Sequence, residues 1–381
     1  MPTLETLRES LGGLDGRRIL LRADFNVPLD AAGRIADDFR VTAALPTIRW
    51  LTEGGASVVA CSHLGRPDGR PEPRYSLAPV RARLAQVAPG VELLENLRFD
   101  PGETANDDRL VQQLIEGCDG YVNDAFGASH RAHASIVGPP RYRPGAAGRL
   151  LAREAEVLLG LRAKPKQPFV AVLGGAKVSD KLGVIGALLD IADEVVIGGG
   201  MCFTFLAASG HEVGESLLQV DQIEACARLL DSGAAIRLPS DITALAPGER
   251  VVQAGVNLRP DWRGLDIGPG SAAEFSDLIA EAGTVLWNGP MGLFEDPRFA
   301  AGTKVVAQAL ADSRAFTVVG GGDSAAAVRQ FGLDREIDHV STGGGASLEL
   351  IERGDLPGLR ALRESAPPQQ SAPLQQEEHH G

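Results

Sequence analysis

The sequence reads as α/β, with two doubly wound parallel-sheet domains joined by a helical hinge. Three observations lead there. Short, continuous apolar runs alternate with stretches of helical periodicity in both halves. In the second half, three such runs each end in glycines that precede a helix, the pattern of a buried parallel sheet with ligand loops at its carboxyl edge. Between the halves, an Ala/Leu/Glu-rich helical stretch at 150–161 is broken by Lys164-Pro165-Lys166-Gln167-Pro168.

Taken in order, Arg18-Ile19-Leu20-Leu21-Arg22 and Ala56-Ser57-Val58-Val59-Ala60-Cys61 are expected as buried strands. Residues 41–51 and 108–115 carry apolar side chains at helical spacing, and Gly120-Tyr121-Val122-Asn123-Asp124 reads as a further strand. After the hinge come Phe169-Val170-Ala171-Val172-Leu173 into Gly174-Gly175, then Glu194-Val195-Val196-Ile197 into Gly198-Gly199-Gly200. A strand at 284–286 runs into the turn-rich Trp287-Asn288-Gly289-Pro290-Met291-Gly292, and Ala315-Phe316-Thr317-Val318-Val319 runs into Gly320-Gly321-Gly322. This sets the domains at 1–160, closing with the interdomain helix, and 165–350, followed by a segment at 351–364 returning toward the first domain. The Pro-, Gln-, Glu- and His-rich tail at 365–381 is expected to be disordered.

A chain of 381 residues exceeds one ordinary core. Its net charge of −13 disfavours general binding to nucleic acid or anionic membranes. No apolar run reaches the roughly 18 residues that span a bilayer. Met1-Pro2-Thr3-Leu4-Glu5 has no basic stretch leading into an apolar one, so no export signal is expected. The four cysteines, Cys61, Cys118, Cys202 and Cys226, form no Cys-x-x-Cys pair, which fits a reducing cytoplasm.

Basic residues are unevenly chosen. Thirty-two are arginine and five are lysine: Lys164, Lys166, Lys177, Lys181 and Lys304. Where arginine is the default, a retained lysine suggests a need for a compact point charge. Two of the five lie four apart in Gly174-Gly175-Ala176-Lys177-Val178-Ser179-Asp180-Lys181.

Gly320-Gly321-Gly322-Asp323-Ser324 is a candidate phosphate site, because glycines admit a ligand to the backbone and a helix start attracts anions. Asp323 or Ser324 is expected to cap that helix, or Asp323 to hold Mg²⁺. Gly343-Gly344-Gly345-Ala346-Ser347 is expected to precede a second helix at 348–352. Glu295 lies just past the 287–292 turn, where a carboxylate can accept hydrogen bonds from a ribose. There is no G-x-x-x-x-G-K-[ST] motif, and no G-x-G-x-x-G after the first strand of either half, which excludes a P-loop enzyme and weakens a nicotinamide site. In the first half, Asp24-Phe25-Asn26-Val27-Pro28 and Ser62-His63-Leu64-Gly65-Arg66-Pro67 follow strands directly. With Arg40, Arg98 and Arg131 they suggest a focused anion site in an acidic protein. His130 and His133, three apart, need a third ligand to hold a metal.

These motifs, in this order from about 14 to about 362, resemble phosphoglycerate kinase. The matches are Arg22-Ala23-Asp24-Phe25-Asn26-Val27-Pro28, Ser62 to Pro67, Leu94-Glu95-Asn96-Leu97-Arg98-Phe99, Tyr121-Val122-Asn123-Asp124-Ala125-Phe126 and His130-Arg131-Ala132-His133. The Gly174 to Lys181 segment, Gly198-Gly199-Gly200-Met201, Gly264-Leu265-Asp266-Ile267-Gly268-Pro269, Trp287 to Glu295, Gly320 to Ser324 and Ser341 to Ser347 complete the set. The resemblance implies two Rossmann-like domains that close, and reversible transfer between 1,3-bisphosphoglycerate plus ADP and 3-phosphoglycerate plus ATP, with Mg²⁺. It implies phosphoglycerate contacts from Asp24, Phe25, Asn26, Arg40, His63, Leu64, Gly65, Arg66, Arg98 and Arg131. Nucleotide contacts would come from Lys181, Gly264, Glu295, Gly321, Gly322, Asp323 and Ser324, with Asp323 toward Mg²⁺. Arg40, Lys177 and Lys181 would surround the transferring phosphoryl, in a cytoplasmic monomer. The competing readings are a catalytically weak binding protein on the same fold and an NAD-dependent dehydrogenase. Two segments, 84–92 and around 238–242, are shorter than the family pattern. The first is expected to cost an edge strand or a helix of the first domain.

Overall fold

Fully buried β-strands organise each half of the chain, and the computed structural model describes residues 1–365. The expected tail therefore lies outside the described residues, apart from Ser365. The chain divides into one unit of Met1–Arg153 with the described residues from Asp355 onward, and another of Glu154–Gly354. The division falls inside the helix Arg149–Ala163.

The first unit holds β1 (Arg18–Ala23), β2 (Ser57–Cys61), β3 (Glu92–Leu93), β4 (Gly120–Asp124) and β5 (Gly145–Ala147), all parallel, in the order β3-β2-β1-β4-β5. Ile19, Leu20 and Leu21 are wholly buried, as a central strand covered on both faces requires. The helix Asp108–Ile115 starts where the Asp107 carboxylate accepts the Arg109 N–H, and it buries Leu110, Val111, Leu114 and Ile115. The expected helix over 41–51 is instead two, Phe39–Ala43 and Leu45–Glu53, with Pro46 in the first turn of the second. Proline has no N–H to continue a helix and is accepted only at its start. Near the short 84–92 segment stand the helix Ala78–Val87 and the two-residue edge strand β3. The helix Pro357–Arg363 packs on this unit, where Gly358 N–H donates to Ser129 O (2.9 Å).

The second unit holds β6 (Phe169–Leu173), β7 (Glu194–Ile197), β8 (Ile236–Arg237), β9 (Asp241–Ala246), β10 (Arg250–Gly255), β11 (Arg263–Ile267), β12 (Thr284–Asn288), β13 (Phe316–Gly320) and β14 (His339–Val340). Six of them form a parallel sheet, β14-β13-β12-β6-β7-β8. The remaining three make an antiparallel sheet, β10-β9-β11, which the sequence reading did not anticipate. The helix expected at 348–352 starts four residues earlier, at Gly344.

Candidate active site

Ligands favour the carboxyl ends of parallel strands where the strand order reverses. In the first unit that point lies between β1 and β4. Asp24, Phe25 and Asn26 follow β1; His63, Leu64, Gly65 and Arg66 follow β2; Arg131 lies beyond β4. Side chains lock these loops together. Asn26 Oδ1 accepts the Gly65 N–H (2.9 Å), Phe25 N–H donates to Ser62 Oγ (2.8 Å), and Asn96 Nδ2 donates to Leu64 O (2.7 Å). Phe25 and Leu64 bury their side chains in the core, so they can offer only backbone to a ligand. Gly65 has φ +62°, and a Cβ there would stand 2.3 Å from the Tyr75 ring.

Charge is distributed tightly. Asp24, nearly buried, pairs with Arg40. Burial alone would raise the Asp24 carboxyl, but Arg40, His63 and Arg22 outweigh it and bring it down to about 2. Burial pushes the His63 imidazole down to about 3, with Arg22, Arg98 and Arg40 adding to the effect and Asp24 opposing it. Arg66, Arg98 and Arg131, with His133, line a cavity of about 450 Å³; Asp68 and Asp100 share its wall. Asp24, Asn26, Arg40 and His63 do not line it. Their network joins it through Arg98, whose Nη1 donates to Gly65 O (2.8 Å).

In the second unit the reversal lies between β6 and β12, and Lys181 occupies it. Its Nζ donates to Gly174 O (2.7 Å), Asn288 O (2.9 Å) and Asn288 Oδ1 (2.6 Å). Burial lowers the ammonium to about 8, against the attraction of Asp323 and Asp180. The loops after β6, β7 and β12 touch backbone to backbone. Gly175 N–H donates to Pro290 O (2.9 Å), Gly199 N–H to Met291 O (3.1 Å) and Met201 N–H to Gly175 O (3.0 Å). Only glycine permits this: Gly289 has φ +99°, and a Cβ there would lie 2.3 Å from Gly174 O.

A cavity of about 450 Å³ opens over these loops, lined by Lys177, Lys181 and Asn288 and by the starts of two helices, Gly322–Gln330 and Gly344–Arg353. Neither helix start is capped by a side chain among the described residues. The expected cap from Asp323 or Ser324 is therefore absent, because Gly321 takes the N-cap position and both residues fall in the first turn. Ser324 turns inward and accepts the Gly289 N–H (2.6 Å), while Asp323 stays exposed on the cavity wall. Uncapped N–H groups leave a helix start open to an anion. A second cavity of about 270 Å³, more apolar, shares Gly175, Ala176 and Asp323 with the first and is walled by Phe203, Leu217, Gly264 and Glu295. Gly264 is forced to be glycine by Phe203, whose ring would be 2.2 Å from its Cβ.

Three further residues shape these sites without any local pattern having marked them for it. Asn288 holds Lys181. Asp266, its carboxyl pushed up to about 7 by burial, accepts the Gly302 (2.8 Å) and Ile267 (2.9 Å) N–H groups beside the apolar cavity. Glu154, fully buried, receives Thr342 N–H (2.6 Å), Thr342 Oγ1 (2.8 Å) and His339 Nε2 (2.9 Å), and so fixes the turn before the helix Gly344–Arg353. Asn288, a polar residue at a strand end before glycine, comes nearest to a local signal. The other two depend on contacts far apart in sequence.

Comparison with known proteins bears on this pair of sites. A family model described as phosphoglycerate kinase matches residues 10–92 and 88–354, the two stretches meeting beside β3. The chain is 51% identical to "Phosphoglycerate kinase" of Salinispora tropica, over 94% of this chain and 99% of that protein. It is 48% identical to the protein of the same name from Kineococcus radiotolerans, over 95% and 100%. The solved structure of phosphoglycerate kinase from Coxiella burnetii superposes with a TM-score of 0.83 at 37% identity, covering 92% of this chain and 97% of that one. That from Pyrococcus horikoshii gives 0.83 at 32% identity, covering 96% and 99%. The chain belongs to the phosphoglycerate kinase family.

Proposed function

We propose that the phosphoglycerate kinase activity that follows from family membership is divided between the two sites, phosphoglycerate in the first unit and nucleotide in the second. The reaction is reversible phosphoryl transfer from 1,3-bisphosphoglycerate to ADP, giving 3-phosphoglycerate and ATP. The observation that carries this reading is the Lys181 ammonium, set at the strand reversal under a cavity bordered by two uncapped helix starts. Such an arrangement suits a polyphosphate. The adjoining apolar cavity of Phe203 and Leu217 suits a base, with Glu295 near the ribose. Arg66, Arg98 and Arg131 suit the phosphate of the three-carbon acid, and Asp24, Asn26 and His63 its other polar groups.

In-line transfer needs little covalent help. It requires alignment and positive charge around the moving group. Arg40, Lys177 and Lys181, with the helix starts Gly322–Gln330 and Gly344–Arg353, would supply that charge. Closure of the two units about the helix Arg149–Ala163 would join the substrates and exclude water from the acyl phosphate.

Asp323 is the residue that would hold Mg²⁺. Its exposed carboxylate on the cavity wall fits an ion that keeps most of its waters and leans on substrate phosphates. Among the described residues no group of three His, Cys, Asp or Glu could hold a metal alone. When bound, Mg²⁺ neutralises charge on the nucleotide's phosphate oxygens. No helix of the described residues is long and apolar enough to cross a membrane. A cytoplasmic monomer acting on small molecules, with no nucleic-acid partner, completes the reading.

The test is purified protein with 3-phosphoglycerate and Mg·ATP, with coupled detection of the acyl phosphate. Turnover that needs both substrates supports the reading; its absence at saturating concentrations refutes it.

A further inference from the structure

Behind the first site runs a chain of buried polar groups that the reaction scheme does not use. Arg22 is 1% exposed and Glu103 is 0% exposed. A buried arginine keeps its proton, so acceptors must meet its charge. Arg22 Nε donates to Ser135 Oγ (2.8 Å), and Nη1 donates to Ala23 O. Ser135 Oγ in turn donates to Glu103 Oε1 (2.7 Å), while Glu103 Oε2 accepts the Ser135 N–H (2.9 Å). The remaining arm, Nη2, lies 3.2 Å from His63 Nδ1.

This chain can run in one direction only. A guanidinium has donors and no acceptor, so His63 Nδ1 must be the acceptor. Asp24 Oδ1, at 3.9 Å from Nδ1, is too far to compete. The ring is neutral, since burial and the surrounding arginines hold its protonation down to about 3. A neutral imidazole carries one N–H, which leaves it on Nε2, and Nε2 makes no hydrogen bond to a described residue.

We propose that Glu103 and Ser135 are positioning residues for phosphoglycerate binding, which through Arg22 fix His63 as the Nε2–H tautomer and present that N–H as a donor to the anionic substrate. The opposite tautomer would turn a lone pair toward the anion. The proposal rests on the reading of His63 as a phosphoglycerate contact.

The experiment uses full-length protein with ¹⁵N-labelled histidine, the His63 signals being assigned with His63→Gln. At neutral pH the wild type should show His63 protonated on Nε2 and bare on Nδ1. Ser135→Ala and Glu103→Gln should shift the ring toward a tautomer mixture. They should also raise the KM for 3-phosphoglycerate about tenfold, the scale of one charge-assisted hydrogen bond, with the KM for Mg·ATP unchanged. Ser135→Thr, which keeps the hydroxyl, should restore both. A wild-type His63 protonated on Nδ1 overturns the proposal, and so does Ser135→Ala with wild-type tautomer and KM. If the variants do not fold, the wild-type spectrum still decides the tautomer. An unchanged phosphoglycerate KM in His63→Gln would overturn the substrate role of His63, whereas loss of the tautomer alone would leave that role standing.

Discussion

In the proposed reading the two sites would meet the same demand, holding a polyanion in a chain of net charge −13, by opposite means. The first is built from side chains. Arginines with fixed charge stand among carboxylates and a neutral histidine, and Arg22, Arg40 and Arg98 are held by side-chain hydrogen bonds or ion pairs. The second is built from backbone. Glycines bring three loops together, two helices present bare N–H groups, and Lys181, with Lys177 on the same cavity wall, brings the positive charge. Side chains can match a small acid with distinct groups at each end. Backbone amides and a point charge suit phosphates, whose oxygens are alike and whose charge moves during reaction. The choice of lysine follows: three oxygens at 2.6–2.9 Å enclose Lys181 Nζ, and the broad guanidinium fork of arginine would not fit there.

The largest expected effect breaks the second site. Lys181→Ala should lower kcat by about 10²–10³-fold, the scale of removing one group that stabilises developing charge, with a much smaller rise in the KM for nucleotide. Equal loss in both would mean that Lys181 serves ground-state binding only. Lys181→Arg should not restore activity.

Next comes the backbone itself. Gly289→Ala puts a Cβ against Gly174 O at a φ of +99° and should cost about 3 kcal/mol or more in a urea melt. Gly12→Ala, at φ +67° with open space around it, should cost only about 1 kcal/mol. Similar losses at both positions would remove the argument that the second site depends on close backbone contact.

The pH dependence should also separate the sites. Lys181 titrates near 8 in the free protein, so kcat/KM for nucleotide should fall as pH rises through about 8. His63 and Asp24, held at about 3 and about 2, do not titrate there, so neither gives the KM for 3-phosphoglycerate a limb in that range. Stability follows the same values with opposite signs. Asp24 lies below its ordinary 3.8, so its contribution is present above that value and is lost as pH falls toward 2. Lys181 lies below its ordinary 10.5, so charging it costs stability below about 8, and the cost fades as pH rises toward 10.5.

The two sites were not equally legible in the sequence. Strands such as Phe169–Leu173 and Gly120–Asp124 are buried along their whole length and stand out as apolar or β-rich runs bounded by breakers. The antiparallel sheet escaped because β10 buries none of its residues, with Val251 on its surface, and Arg250–Gly255 shows neither a continuous run nor a clean alternation. The start of the helix Gly344–Arg353 was misplaced because glycines read as loop, although backbone N–H groups can begin a helix there without a capping side chain. Motif residues after strands were legible one by one. The partners that orient them were not: Arg22 and Ser135 are 113 positions apart, and Lys181 and Asn288 are 107 apart. No local pattern encodes such a pair.

The division of labour between the units is tested most directly by titrating 3-phosphoglycerate and Mg·ADP separately into wild type and Arg66→Ala by calorimetry. Arg66 lines the first cavity and none of the second unit's. The account predicts phosphoglycerate binding weakened by about tenfold or more, the scale of a charge-assisted contact, with ADP binding unchanged. Equal weakening of both ligands, or of neither, would contradict it.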